Sequence, residues 1–234
     1  YTTLFRSVPK VLECNPRVQG TMIATLAAGN NIIWAAVADL LRVLGCAPSV
    51  VVGHSAGAAI AVQLCLDGHL HPDAVIGLNA ALLPMGGVAG PLFAPAARLL
   101  AATDWIPQWF AQRAQAPQVL QRLIDGTGSR LDATGIALYG RLVSNPVHAA
   151  GALAMMAHWD LYTLARALRR LQTPLQLVVG ERDLTVRPEQ AQRVWARQSV
   201  VSRRPVLTLP GLGHLAHEED PQRVAEIVAQ WLPG

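Results

Sequence analysis

The 234-residue chain is long enough to form one domain with a sizeable core, or one domain that carries an insertion. Hydrophobic residues make up 52% of the chain and charged residues only 15%, which excludes an intrinsically disordered protein. The net charge of +4 comes from scattered arginines, with Lys10 as the only lysine, and this pattern indicates a solvated surface without a nucleic-acid partner.

Three cysteines, Cys14, Cys46 and Cys65, occur at unrelated spacings and predict neither a disulfide framework nor a zinc site. A reducing cytoplasm is therefore the expected compartment. No signal peptide is predicted, and polar side chains interrupt the most apolar early stretch, residues 21–41, which makes it a poor candidate for a membrane-spanning helix. The mean hydropathy of +0.30 is nevertheless high, and it is compatible with an apolar ligand or with peripheral contact with a membrane.

The order of predicted elements indicates the fold class. Apolar residues at helical spacing predict a helix over residues 32–44, which ends before Gly45. Farther along the chain, the predicted strands cover residues 49–53, 74–78, 175–179 and 206–209, and the predicted helices cover residues 58–66, 188–197 and 221–232. Strands that alternate with helices predict an α/β fold, with a mostly parallel sheet and helices on both faces.

Residues 82–170 differ from the rest of the chain. They carry helical patterns that are broken by glycines and prolines, without strand-like runs. We interpret them as a helical lid insertion. Ligands of such sheets bind beyond the carboxyl ends of the strands, so this is the edge at which functional residues are expected.

One pentapeptide, Gly53-His54-Ser55-Ala56-Gly57, matches the G-x-S-x-G pattern of a nucleophile elbow. In that motif a serine occupies a tight turn between a strand and a helix, and small neighbours let the backbone approach closely. Ser55 is therefore the candidate nucleophile, and the backbone N–H of Ala56 is a candidate oxyanion-hole donor. The alternative is a glycine-rich turn without chemistry.

The candidate acid and base follow later in the chain, each just after a predicted strand. Asp183 would orient an imidazole, and His214 would take the proton of the nucleophile and return it to the leaving group. Glu181 is the alternative acid, and His217 is the alternative base. The two histidines lack convincing further ligands, so no metal site is predicted.

Large apolar side chains in the insertion predict a pocket over this site. The pocket candidates are Trp105, Met156 and Trp159, together with His54 of the elbow. The alternative is that the insertion residues form an ordinary hydrophobic core.

The order of the three motifs around Ser55, Asp183 and His214 resembles the α/β-hydrolase superfamily. A narrower resemblance, to the magnesium-chelatase accessory proteins of bacteriochlorophyll synthesis, is carried by residues 77–84, 126–132, 151–156 and 213–219. The resemblance extends over most of the chain from about residue 35 onward. It implies an α/β-hydrolase fold, a role near protoporphyrin IX and its magnesium derivative, and magnesium chelatase subunits as partners.

The N-terminal part departs from this pattern. Only 54 residues precede Ser55, where such hydrolases place three or four strands. We therefore interpret residues 1–29 as an atypical or artefactual segment of a truncated or chimeric chain, with the early strands missing. Residues 30–81 and 171–234 are then the core of the domain.

Two functions from different classes fit these residues. The first is a serine hydrolase that cleaves a small apolar ester or amide through an acyl-Ser55 intermediate, although a C–C hydrolase or a haloperoxidase would use the same triad. The second is a non-catalytic module that binds a tetrapyrrole and supports magnesium insertion. No cofactor motif is found, and any metal is expected on the ligand.

Overall fold

A computed structural model describes residues 11–14, 45, 47–84, 105–157 and 160–232. Its five strands are β1 (Val11–Cys14), β2 (Val50–His54), β3 (Ala74–Leu78), β4 (Leu175–Gly180) and β5 (Leu207–Leu209). Its helices are α1 (Ala56–Leu66), α2 (Trp105–Arg113), α3 (Pro117–Asp125), α4 (Ala133–Val143), α5 (Pro146–Ala157), α6 (Leu161–Ala167), α7 (Pro188–Arg197), α8 (Ala216–Glu219) and α9 (Pro221–Ala229), and a 3₁₀ turn over Leu168–Arg170 extends α6. The predicted helix over residues 32–44 lies outside the described residues.

The strands form one parallel sheet in the order β1-β2-β3-β4-β5. Because every neighbouring pair is parallel, all five carboxyl ends point to the same edge. This confirms the predicted α/β class and its parallel sheet. Strand β1 was not predicted from the sequence, and it pairs with β2 from Val11 opposite Val50 to Cys14 opposite Gly53.

Both faces of the sheet are apolar, as expected for parallel strands that are covered on two sides. In β2, Val51 packs in one hydrophobic core, whereas Val50 and Val52 pack in the other. The same alternation separates Val179 from Val178 in β4. Helices α1, α6 and α7 complete the first core, and α8 and α9 complete the second.

The C-terminal helix α9 illustrates how spacing positions a face. Val224, Ile227, Val228 and Trp231 share one side of a helix by their spacing, and all four pack in the second core. Pro221 occupies the first turn of α9, and the carboxylate of Asp220 accepts the N–H of Arg223 there.

The described residues between β3 and β4 form helices and turns only. Helix α2 packs on α5, α3 packs on α4, and α4 packs on α5. Within the part of the chain that the structure describes, no helix combines the length and apolar character needed to cross a membrane. The proposed division into a core and an insertion remains a prediction.

Shortening Leu64 on α1 should destabilise the fold, because this side chain is fully buried in the first core. We expect Leu64→Ala to lower the free energy of unfolding by about 2–5 kcal/mol. The matched control is Leu138→Ala, at a leucine that is 58% exposed on α4, with an expected change within about 0.5 kcal/mol. Urea denaturation measures both changes, and equal losses would show that α1 does not anchor the core as described.

Candidate active site

Ser55 lies in the turn between β2 and α1, with φ 51° and ψ −116°. A residue other than glycine adopts this conformation at a cost of about 1–3 kcal/mol, so surrounding contacts must hold it. Two of them are visible: the N–H of Ser55 donates to the carbonyl of Leu78 at 2.9 Å, and its carbonyl accepts the N–H of Ala81 at 3.1 Å. The turn is thus fastened to the end of β3 and to the loop that follows.

Steric contacts explain why the pentapeptide around Ser55 contains small residues. A Cβ on Gly53 would lie 2.6 Å from the Cα and the backbone nitrogen of Ala58, which is closer than real Cβ atoms approach. Glycine at this position therefore lets α1 start directly above β2. Ala56 is the first residue of α1, and its N–H is one of the groups that a helix leaves without an intrahelical partner.

Asp183 and His214 form a buried pair at the carboxyl ends of β4 and β5. The Nδ1 atom of His214 lies 2.8 Å from Oδ2 of Asp183, and the two residues are only 6% and 1% exposed. Since a carboxylate only accepts, Nδ1 carries the proton, which leaves Nε2 available as a base. Among the described residues, no hydrogen bond joins the Ser55 hydroxyl to this Nε2, and such contacts often tighten only when substrate binds.

The buried carboxylate of Asp183 is satisfied by further donors. Its Oδ1 accepts the N–H groups of Thr185 and Val186, each at 2.8 Å. Its Oδ2 accepts Nδ2 of Asn79 at 2.7 Å, in addition to the ring of His214. These hydrogen bonds offset the cost of removing a charged group from water.

Asn79 was not among the residues predicted from the sequence. It follows β3 directly, with φ 48°, and its Nδ2 donates to the carbonyl of Gly213 at 3.2 Å as well as to Asp183. It therefore links the loop after β3 to the loops that carry Asp183 and His214. Its position at the carboxyl end of a predicted strand was the one available signal.

His54 lies next to His214. Its Nε2 donates to the carbonyl of His214 at 2.9 Å, which fixes the proton on that nitrogen. The rings of His214 and His217 lie 4.8 and 4.4 Å from the His54 ring, centroid to centroid. Burial, followed by these two imidazoles, lowers the pKa of His54 to about 3, so the ring is neutral at physiological pH.

The alternative acid and base have other partners. Glu181 accepts the N–H of Gly211 at 2.8 Å on the surface, away from the buried pair. His217 is the neighbour of His54, and its Nε2 lies 3.6 Å from Oε1 of Glu218. The geometry therefore favours Asp183 and His214 over both alternatives.

A turn between α3 and α4, residues 127–130, contacts the loops that carry Asp183 and His214, and we call it the insertion turn. The carbonyl of Thr127 accepts the N–H of Leu184 at 3.3 Å and that of His214 at 3.1 Å. The hydroxyl of Ser129, which is 2% exposed, accepts the N–H of Leu215 at 2.8 Å. The sequence did not predict this role, because nothing local identifies the partners of the turn.

Glycines allow the insertion turn to approach so closely. A Cβ on Gly213 would collide with the backbone of Gly128 and Ser129, and one on Gly128 would collide with the carbonyl of Arg182. Glu219 adds a bridge, because its carboxylate accepts the N–H of Gly213 at 2.7 Å and that of Arg130 at 2.9 Å. The insertion turn and the loop that carries His214 are therefore packed backbone against backbone.

The remaining pocket candidates are not brought to this site by a described contact. Trp105 begins α2 and is 64% exposed. Met156 lies on α5, but its side chain and the whole of Trp159 lie outside the described residues. Their role in a pocket stays a prediction.

Metal binding and thiol chemistry are the two other possibilities for the described residues. No group of three or more His, Cys, Asp and Glu side chains within the described ranges could hold a metal ion. Burial raises the pKa of the Cys65 thiol to about 11, so this thiol is protonated at neutral pH and is no activated nucleophile.

Comparison with known proteins identifies the family. The model of the alpha/beta hydrolase family matches residues 24–227, which is most of the chain. The chain therefore belongs to the alpha/beta hydrolase family, as its sheet and the resemblance of its motifs predicted.

One sequence relative and two solved structures illustrate what the chain is similar to. The magnesium-chelatase 30 kDa subunit of Rhodobacter capsulatus is 39% identical over 197 residues, which is 83% of this chain and 66% of that protein. An alpha/beta hydrolase fold protein from Burkholderia ambifaria shares the fold with a TM-score of 0.64 and 18% identity, over 84% of this chain and 71% of that one. A thermophilic esterase from Thermogutta terrifontis does so with a TM-score of 0.61 and 17% identity, over 94% and 88%.

Removing the Ser129 hydroxyl should loosen the insertion turn. In Ser129→Ala the buried N–H of Leu215 loses its acceptor, and we expect the free energy of unfolding to fall by about 1–3 kcal/mol in urea titrations. Ser144→Ala is the matched control, because that hydroxyl donates to the Arg141 carbonyl at an exposed position. A Ser129→Ala variant as stable as the control would contradict the described contact.

Acid should destabilise the protein through His54. The folded pKa of about 3 lies below the usual 6.5, so the unfolded chain binds the proton more strongly and stability falls as the pH drops below about 6.5. Between pH 7 and pH 5 this contribution is about 2 kcal/mol. His54→Gln keeps a donor for the His214 carbonyl but does not titrate, so its free energy of unfolding should fall less over the same range. If the free energy of unfolding depended on pH identically in the wild-type protein and in His54→Gln, His54 would not be the group whose lowered pKa destabilises the fold in acid.

Proposed function

We propose that the chain is a serine hydrolase that cleaves a small apolar ester or amide through an acyl intermediate on Ser55. The observation that carries this proposal is the buried hydrogen bond between Asp183 and His214, which lies at the same sheet edge as the strained turn of Ser55. A glycine-rich turn without chemistry would not explain a buried carboxylate and imidazole at the same edge of the sheet.

In the proposed acylation step, Nε2 of His214 takes the proton of the Ser55 hydroxyl while Oγ attacks the carbonyl carbon of the substrate. Asp183 holds the imidazole in the required tautomer and stabilises the imidazolium that forms. The imidazolium then protonates the leaving alcohol or amine. Water, activated by the same base, releases the acid product and restores the serine.

The oxyanion formed during attack needs donors that are already in place. The N–H of Ala56 is the proposed donor, and it lies at the first turn of α1, where the helix dipole favours negative charge. The Ser55 side chain makes no capping hydrogen bond to α1, so its hydroxyl is not engaged at the start of that helix.

A second candidate function rests on the relative from Rhodobacter capsulatus, whose name describes a magnesium-chelatase subunit. Under this proposal the chain binds a tetrapyrrole, without hydrolysis, and assists magnesium insertion together with chelatase subunits in the cytoplasm or at the membrane surface. The 39% identity over 197 residues favours this candidate. This chain spans 66% of the length of that relative.

Labelling by a fluorophosphonate tests the activated serine. We expect the intact mass of the chain to rise by one adduct, and Ser55→Ala to abolish the rise, while Ser144→Ala keeps it. Asp183→Asn should slow labelling by up to about 10⁴-fold, as the equivalent change slows serine proteases, because the imidazole loses the tautomer that accepts the proton.

Absorbance titration with protoporphyrin IX separates the two candidates. If the chain is a non-catalytic carrier, Ser55→Ala should bind the porphyrin as tightly as the wild-type protein does. The folded wild-type protein should then remain unlabelled by the fluorophosphonate. Labelling that survives in Ser55→Ala would overturn the assignment of the nucleophile.

A further inference from the structure

A cavity of about 540 Å³ is lined by residues of α6, its 3₁₀ extension and α7. Four arginines line it: Arg166 and Arg169 from α6 and its 3₁₀ extension, and Arg193 and Arg197 from α7. None of Ser55, Asp183 and His214 lines it. The arginine cavity is therefore separate from the proposed catalytic site.

The four guanidinium groups bring positive charge to one shared cavity. Among the described residues, none of the four forms an ion pair within 4.0 Å. Asp160 is the nearby acid whose pKa is lowered, first by its hydrogen bonds to Thr163 and only weakly by Arg166. Because like charges repel across a shared cavity, an anion placed there would relieve an unfavourable arrangement.

The arginines project from elements that pack in the first core. Arg166 and Arg169 are three residues apart and Arg193 and Arg197 four apart, so each pair projects from one side of its element. The opposite sides of these elements are anchored in the first core by Leu164, Leu168 and Val194. The two pairs thus line a common cavity from elements that are anchored in the same core.

The rest of the lining is apolar or aromatic. Leu83 is buried, and Tyr162 is 52% exposed. A free inorganic anion would leave these surfaces in contact with water. A ligand that has an apolar body and acid groups would cover them and reach the guanidinium groups as well.

We propose that the arginine cavity binds a small molecule with an apolar body and at least two carboxylate or phosphate groups. The guanidinium forks hold the acid groups through charge-assisted hydrogen bonds, and Leu83 and Tyr162 contact the apolar body. This site does not depend on the serine chemistry, and its loss would leave labelling of Ser55 unchanged.

Isothermal titration of the 234-residue chain with dodecanedioate is the test, with inorganic phosphate and neutral 1,12-dodecanediol as comparison ligands. We expect dodecanedioate to bind more tightly than either, and more weakly as salt is added. The double variant Arg166→Gln, Arg193→Gln should lose affinity about tenfold. The control, Arg141→Gln with Arg223→Gln, removes the same charge from exposed positions on α4 and α9 and should keep the affinity.

Several results would overturn the proposal. Equal losses in the two double variants would show a general charge effect, and phosphate binding as tight as that of the diacid would remove the role of the apolar lining. Sedimentation with phosphatidylglycerol vesicles, without binding of the soluble diacid, would assign the arginines to a membrane surface instead. A thermal unfolding transition at the wild-type temperature shows that a loss of affinity is not a loss of fold.

Discussion

A buried carboxylate organises this end of the molecule. Asp183 is almost fully enclosed, and a charge in that position is tolerated only if donors surround it. The donors come from the loop after β3, through Asn79, from its own loop, and from the loop after β5, through His214. Three adjacent strands therefore end at one anion, and the position of each loop is determined by the same group.

Ser55, by contrast, has a strained backbone conformation that contacts with neighbouring residues maintain. Ser55 has a positive φ, and its backbone is held by Leu78 and Ala81 at the neighbouring strand end. The close approach at Gly53 places α1 directly over β2. Strain at one residue and a buried charge at another are both unfavourable alone, and the densely packed sheet between them makes both tolerable.

Much of this arrangement could be predicted from the sequence, because its signals are local. The strand Ala74–Leu78 and the helix Pro188–Arg197 have the predicted bounds, and apolar runs or a proline at the first helical turn were sufficient to find them. The pentapeptide around Ser55 and the order of Asp183 and His214 gave the candidate site before any coordinates.

What escaped prediction depends on contacts between residues far apart in the chain. Strand β1 is short and owes its place to pairing with β2. Asn79 and Asp183 are 104 residues apart, and Ser129 and Leu215 are 86 apart, so no spacing rule could connect them. A glycine such as Gly213 looks like an ordinary turn residue until the backbone of Gly128 is seen against it.

The contacts of Thr127 with the loops that carry Asp183 and His214 restrict how freely residues between β3 and β4 can be exchanged. The carbonyl of Thr127 and the hydroxyl of Ser129 accept backbone N–H groups of those two loops. A chimera that exchanges the helices around residues 127–130 while keeping that short turn would retain these hydrogen bonds, whereas one that replaces the turn would lose them.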